Sequence, residues 1–433
     1  MCWFEGVWFK PRGGSRGFFL SKVFQSSHPD IQTQMNRVQR LLPLFIFFCV
    51  SWSAIAQNEI SPSPYFSSGK GLGITSPDSV FMLNIRFRIQ NRLAFITESG
   101  TNLDIAQVEA RVRRLRLRFD GFIYTPRLTY LIQLAFSRSD MDFDDTGVPN
   151  IIRDAMIIYA ITNNFSIGVG QTKLPGNRQR VNSSGDLQFA DRSIVNATFN
   201  IDRDFGLQLY YNNNVQWLHY VLRGAISSGD GRNITSSDRG LAYTGRLELL
   251  PMGKFTNGGD YFEGDLARES KPKISIGLTH SNNQNAIRTG GQLGKYLYGS
   301  RDILTNMVDF LIKYNGWAFA TEFLHRDATD PITVNDQGDK RYVYVGHGQN
   351  FQGSYLFKKN YEIALRYSYV KPDPDIQLLE ERTRQYTIGA SKYIRGHRLK
   401  LQTDLTYEQN TWLQGEVPDH DNWQVRFQIE AGI

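Results

Sequence analysis

"EARVRRLRLRFDG", residues 109–121, sets arginine at 111, 113, 114, 116 and 118 and threads Leu115, Leu117 and Phe119 among the later ones. On a helix, at about 100° per residue, the charges would point almost all round the axis and no amphipathic face would form. On a strand, successive side chains point to opposite faces. Arg114, Arg116, Arg118 and Asp120 then share one face, and Leu115, Leu117, Phe119 and Gly121 share the other. The stretch therefore predicts a strand with one charged and one apolar face. A soluble sheet with a wet face would use such a strand, and so would a membrane barrel with a polar lumen.

The rest of the chain repeats the pattern. "SVFMLNIRFRIQNRLAF", residues 79–95, puts Phe81, Leu83, Ile85, Phe87 and Ile89 opposite Asn84, Arg86, Arg88, Gln90 and Arg92. Further strands are expected at 129–137, 152–161, 165–173, 203–211, 215–227, 241–250, 273–281, 306–314, 317–326, 342–357, 361–370, 382–393, 398–408 and 421–433, sixteen in all. "TPR", "TNN", "NNN", "NG", "KKN" and "RGH" form tight joints. Between them lie long polar stretches at 138–150, 174–202, 228–240, 282–305, 327–341, 371–381 and 409–420. Segment 251–272 breaks the rule, being long where a turn is due. Short joints on one rim and long loops on the other describe an all-β transmembrane antiparallel barrel with periplasmic turns and external loops. The final strand pairs with the first and leaves no edge in lipid. Ile433 departs from the aromatic residue on which such barrels usually end. Negative mean hydropathy is compatible, because lipid-facing and lumen-facing residues alternate. A sandwich would use shorter strands, and no propeller-length repeat is present.

The formal charge of +7 is concentrated at the front: residues 1–56 hold six Lys/Arg and two acids, so the body carries only +3. That balance argues against a nucleic-acid partner. Cys2 and Cys49 are the only cysteines, which leaves the body without a disulfide or a cysteine metal site. "MNRVQRLLPLFIFFCVSWSAIAQ", from Met35, has basic Arg37 and Arg40, an apolar run from Leu41 to Val50, and Ala54-Ile55-Ala56 before Gln57. This is the layout of a secretory signal peptide, with a run short for a membrane anchor. Residues 1–34 are expected to be a mis-assigned start or disordered, 35–56 the signal peptide, 57–79 a periplasmic lead-in and 80–433 the barrel. The mature product is expected in the outer membrane of a Gram-negative bacterium.

Three stretches carry a family resemblance: "GKGLGITSPDSVFMLNIRFRIQNR" (69–92), "RVRRLRLRFDGFIYTPRLTYLIQLAFS" (111–137) and "DAMIIYAITNNFSIGVGQTKLPGNRQRVNSSGDLQFADRSIVNATFNIDRDFG" (154–206). Together they resemble the phosphate-selective porin O and P family, especially its members in Bacteroidetes-type bacteria. The resemblance implies a sixteen-stranded, usually trimeric porin whose third external loop, here about 174–202, folds inward to narrow the pore. It also implies an arginine ladder and a lysine group that guide phosphate. The chain departs from the second feature: around 174–202, Arg178, Arg180 and Arg192 stand out and no lysine group is present.

The expected anion path consists of Arg86, Arg88, Arg92, Arg114, Arg116, Arg118 and Lys173 on the wall, with Arg178, Arg180 and Arg192 on the loop. Guanidinium is always charged and grips phosphate or carboxylate through paired donors. A row of such groups would pass small anions between weak sites. The competing reading pairs these arginines with lumen acids such as Asp120, Glu322, Glu362, Asp404 and Glu430. Other inward cations, Arg223, Arg246, Lys313, Arg326, Arg366, Lys400 and Arg426, are mixed with acids. "SDMDFDD" gathers Asp140, Asp142, Asp144 and Asp145, either a solvated external loop or a divalent site facing lipopolysaccharide, without the spacing of a calcium loop. "GKGLG" (69–73) reads as flexible lead-in and not a phosphate fingerprint. The histidines lack metal-ligand spacing, no cofactor is implied, and no nucleophile elbow is present. Tyr159, Tyr211, Trp217, Trp317, Tyr361, Tyr369, Tyr393, Tyr407 and Trp423 suit interfacial girdles. The reading is a passive channel for small anions, phosphate among them. A general porin of low selectivity is the alternative, followed by a barrel enzyme or an adhesin.

Overall fold

The computed structural model describes residues 63–67, 71–78, 80–138, 140–143, 149–234 and 240–433, with 63–67 and 142–143 as backbone. The signal peptide, both cysteines, the early start, Asp144, Asp145 and the side chain of Asp142 lie outside the described residues.

The described residues begin with β1 (Ser63–Ser67), β2 (Gly71–Thr75), β3 (Phe81–Thr97), β4 (Ile105–Ile123) and β5 (Thr125–Ala135). Two short pieces, β6 (Asp142–Phe143) and β7 (Pro149–Asn150), pair within a loop. Then come β8 (Ile152–Ala160), β9 (Phe165–Lys173), β10 (Arg203–Val215), β11 (Leu218–Ser227), β12 (Ala242–Leu250), β13 (Lys273–Arg288), β14 (Tyr296–Tyr314) and β15 (Trp317–Ala328). A second loop hairpin, β16 (Ile332–Val334) with β17 (Lys340–Tyr342), precedes β18 (Gly346–Leu356), β19 (Tyr361–Pro372), β20 (Arg382–Tyr393), β21 (Leu399–Thr411) and β22 (His420–Gly432). Setting aside β1, β2 and the two loop hairpins, sixteen strands pair antiparallel with their chain neighbours, and β22 pairs with β3 to close the barrel. No helix among the described residues is long and apolar enough to cross a membrane; the strands do the crossing.

Closure uses the lead-in. β22 covers β3 from Ile96 to Arg88, and β2 takes the same edge from Ile85 to Met82. Residues 71–75 are thus a sheet strand, where the sequence suggested flexible lead-in.

The two-residue period works as expected. Outward Phe319, Ile363, Leu365, Ile388 and Leu401 are exposed on the wall, while inward Lys313, Glu322, Arg366, Lys400 and Asp404 are buried. Tyr393 is a correction: it faces inward and donates to Glu362 at 2.5 Å, so it belongs to no girdle. Strands also run further at the external end than the polar stretches suggested, since β13 and β14 stay paired to Arg288 and Tyr296 and shorten the loop between them. Conversely, Tyr342 leaves the start of the expected strand 342–357 to pair with Ile332 in a loop hairpin, and the wall strand begins at Gly346.

The opening stretch contains one departure from strict alternation. Gln90 pairs with Arg114 but Asn91 pairs with Val112, so Arg113 is an extra, bulged residue. Uninterrupted alternation would turn Arg113 and Arg111 toward lipid. The bulge instead places Arg111 opposite Arg92, and Arg113 reaches the same interior carboxylate as Arg114.

Candidate functional site

Two segments fill the barrel interior from opposite ends. The first is the third external loop, 174–202, which contains a helical turn (Arg178–Val181) and a short helix (Ile194–Phe199). Ser193 caps that helix by accepting from the Asn196 amide at 3.2 Å. Val195, Phe199 and Ile201 pack on inward Met307, Leu324 and Val370, which gives the loop an apolar foothold inside the wall. Glycines in the wall admit it: a side chain at Gly389 would meet the Phe189 ring, and one at Gly348 would meet Val195 and Phe199.

The second segment is 251–272, on the turn side. Lys313 donates to the Gly259, Phe262 and Gly264 carbonyls at 2.6, 2.7 and 2.5 Å and fixes the segment from beneath. Arg268 reaches the Leu356 and Phe357 carbonyls at 2.7 and 2.6 Å. Glu263 then joins the two segments. Its carboxylate accepts from Gln179 Nε2 at 3.0 Å and from the Gln188 amide at 2.8 Å, both in the external loop. It also accepts from Gln352 of β18 at 3.1 Å. The sequence marked 251–272 as anomalous in length; its contacts supply the reason.

The wall from β12 to β22 presses against these segments. Arg178 meets Asp309 at 3.2 Å, Glu248 at 3.4 Å and Ser275 at 2.7 Å. Glu322 accepts from Asn177 and from the Gln179 amide, each at 2.9 Å. Lys400 donates to the Gly185 and Leu187 carbonyls at 2.9 and 2.7 Å, and Arg326 to those of Thr198 and Asn200 at 3.1 Å each. Buried carbonyls need donors, and inward lysines and arginines supply them. Where loop, insertion and this wall meet, beside Gln179, Glu263, Glu322 and Gln352, a gap of about 20 Å³ remains, room for about one water. A wider cavity of about 750 Å³ opens between the loop's helix and Arg326, Val370, Thr383 and Glu408 of the same wall, with Glu380 and Glu381 in its lining.

The opposite wall, β4 to β11, stands off from the loop. The cavity there measures about 320 Å³ and is lined by Arg116, Arg118, Lys173, Arg203 and Arg223, with Asp154 the one carboxylate among the described lining residues and Ser183 and Ser184 facing from the loop. Arg203 pairs with Asp154 at 2.9 Å, and Arg116 with Asp140 at 2.6 Å. Arg118 shares Asp120 with Arg86, at 3.0 Å from its own Nε, yet its side chain keeps 39% exposure. Arg223 donates to the Tyr261 hydroxyl at 2.9 Å.

The ten residues expected on the anion path thus take different positions. Arg116, Arg118 and Lys173 line the cavity. Arg88 and Arg116 hold the loop's serines, Arg88 at 3.1 Å to Ser183 and 2.8 Å to Ser184, Arg116 at 2.9 Å to Ser184. Arg92 and Arg114 bind loop Asp191 at 2.5 and 3.5 Å. Lys173 and Arg192 both donate to the Asn182 carbonyl, at 2.8 and 2.9 Å. Arg178 is buried against the Asp260 carbonyl, Glu248 and Asp309, and Arg180 pairs with Asp202. Arg86 pairs with Asp120 beside the cavity. Sequence reasoning missed Arg203 and Asp154 as lining, and Asp191 and Glu263 as anchors. Arg203 and Asp154 lie at strand ends, where alternation gives little guidance. Asp140 is another correction: it is buried between Arg116 and Arg153, not solvated in an external loop.

Solved barrels share this architecture. The outer-membrane channel DcaP of Acinetobacter baumannii is 13% identical and covers 86% of this chain and 100% of its own, with a TM-score of 0.49. OprB of Pseudomonas putida is 10% identical, covering 81% and 94%, at 0.50. OmpF of Salmonella typhi, solved with daunomycin, is 13% identical, covering 82% and 98%, at 0.49. No curated protein matches the sequence. Residues 83–429 match the family described as "Phosphate-selective porin O and P". With that match spanning most of the chain and a closed sixteen-stranded barrel beneath it, the protein is an outer-membrane porin and belongs to the phosphate-selective porin O and P family.

Proposed function

We propose that this porin passes small anions, phosphate among them, along the arginine-lined side of its lumen. The observation that carries the reading is the charge of the cavity between the loop and β4 to β11: five basic groups against one carboxylate among the described lining residues. The acids of the other wall, Glu248, Asp309, Glu322 and Glu362, are buried under the inserted segments and engaged with them. A solute in this cavity meets the cations and not those four acids. Guanidinium and ammonium groups in a confined, partly dry passage attract anions far more strongly than in bulk water. Arg116 and Arg203 are buried in their carboxylate pairs, whereas Arg118, which shares Asp120 with Arg86, keeps more exposure, so Arg118, Lys173 and Arg223 have the most charge to offer a passing ion. The barrel is read as the mature product after cleavage behind Ala56, and as a homotrimer embedded among outer-membrane lipids and lipopolysaccharide.

The test is the reversal potential of purified protein in a planar bilayer under a KCl gradient, with Arg118→Ala and Arg223→Ala beside the wild type. Neither residue holds the external loop, so a change reports selectivity and not loop release. A wild-type preference for chloride that both substitutions reduce is expected, with phosphate then slowing chloride current. Equal permeability of the two ions in the wild type would overturn the reading in favour of a general porin.

A further inference from the structure

The outer wall carries cations that the channel does not use. Tyr367, Tyr386, Tyr407 and Trp423 form a cross-strand aromatic row on the lipid-facing side of β19 to β22. Such a row marks a membrane interface. Arg384 stands two residues beyond Tyr386 toward the external end, roughly 7 Å further along the strand. It pairs in register with Tyr369, whose ring centre lies 5.8 Å from its guanidinium carbon. One step further, beyond the last paired residues Val370 and Thr383, come Lys371 and Arg382. All three side chains follow the outward phase of their strands. Among the described residues no ion pair joins any of them to a carboxylate, and the Nε of Arg382 is buried without a hydrogen-bond partner.

Charges so placed face the headgroups of the outer leaflet. Water alone could solvate three separate cations, but adjacent guanidinium forks beside an aromatic ring are suited to a multivalent anion. We propose that Lys371, Arg382 and Arg384 form a binding site for the phosphate of a phosphorylated lipid in the outer leaflet. The lipid's acyl chains would lie along the apolar wall below, over Leu365 and Ile388. The site is independent of the conduction path, being on the other face of the sheet.

The experiment is native mass spectrometry of the detergent-purified protein with lipid A, the bisphosphorylated disaccharide lipid. The same lipid stripped of phosphate and inorganic phosphate as competitor form the other arms. The variants are the triple Lys371→Gln, Arg382→Gln, Arg384→Gln, and Lys392→Gln at the opposite rim. Each cation near a charged headgroup is expected to contribute about fivefold in affinity, so the triple variant should lose lipid by far more than tenfold. Removal of phosphate should have a similar effect, and Lys392→Gln none. Equal binding by the triple variant, or of the stripped lipid, would overturn the proposal in favour of acyl contacts alone. Displacement by inorganic phosphate at the lipid's own concentration would also overturn it, by making soluble phosphate the ligand. If the triple variant fails to fold, as read from heat-dependent gel mobility, Arg382→Gln and Arg384→Gln taken singly decide the matter by the same measure.

Discussion

Asp191 sits among three guanidinium groups and so determines where the external loop rests. Arg92, Arg113 and Arg114 approach it at 2.5, 3.3 and 3.5 Å. Burial pushes its carboxyl up, but Arg113, Arg92 and Arg114 outweigh burial and hold it well below the usual carboxylate range. A depressed native value means that the stabilisation is present above the unfolded value of about 3.9 and is lost as pH falls from there toward the native one. Single-channel conductance should therefore stay level from pH 8 to pH 5 and become larger and noisier only below about pH 4. Asp191→Asn should bring that behaviour to neutral pH, because three cations lose their shared partner, at a cost to loop docking of about 2 kcal/mol. Unchanged conductance in that variant would show that the loop's other anchors, the apolar foothold with Glu263, Glu322 and Lys400, suffice to hold it. Arg114, Arg116 and Arg118 of the opening stretch were legible in the sequence as interior charges; Arg111 and Arg113, redirected by the bulge, were not. Their division into loop anchors and cavity lining was not, since Ser184 and Asp191 lie some seventy residues further on in the chain.

The strands were readable because a period of two repeats along each of them and needs no distant information. Inserted elements obey no such period. Segment 251–272 betrayed itself only by length, and its anchor, Lys313, looked like any other inward cation. Lys313→Met should free the segment by leaving three carbonyls without their donor, read as raised protease sensitivity within 251–272 while the barrel's gel mobility is retained. Protection equal to the wild type would assign the anchoring to Arg268 and Glu263. At the facing element, Gly389→Leu should displace Phe189, since even a Cβ there would lie 2.7 Å from the ring. The expected outcome is a wider, fluctuating conductance in bilayers; a wild-type trace would mean that the ring has room to turn aside.

At the scale of the molecule, two inserted segments fill part of the lumen, and that filling decides which side chains a solute meets. Replacing 253–271 by a short glycine linker should raise conductance severalfold and weaken anion preference, because Glu248, which accepts from Tyr261, and Glu362, which lies against Gly264, would face water again. Higher conductance with unaltered preference would place selectivity wholly on the cavity wall. The sheet on β3 has a consequence of another kind. β22 ends at Arg88 and β2 begins its pairing at Ile85, so one edge is shared by the two ends of the barrel sequence. A closing strand that slid toward the periplasm would collide with β2, and a slide of one residue would also turn every side chain of β22 to the wrong face. The hairpin at the front of the chain thus behaves as a mechanical end-stop: the last strand to join can dock at one depth only, and the seam carries its own ruler.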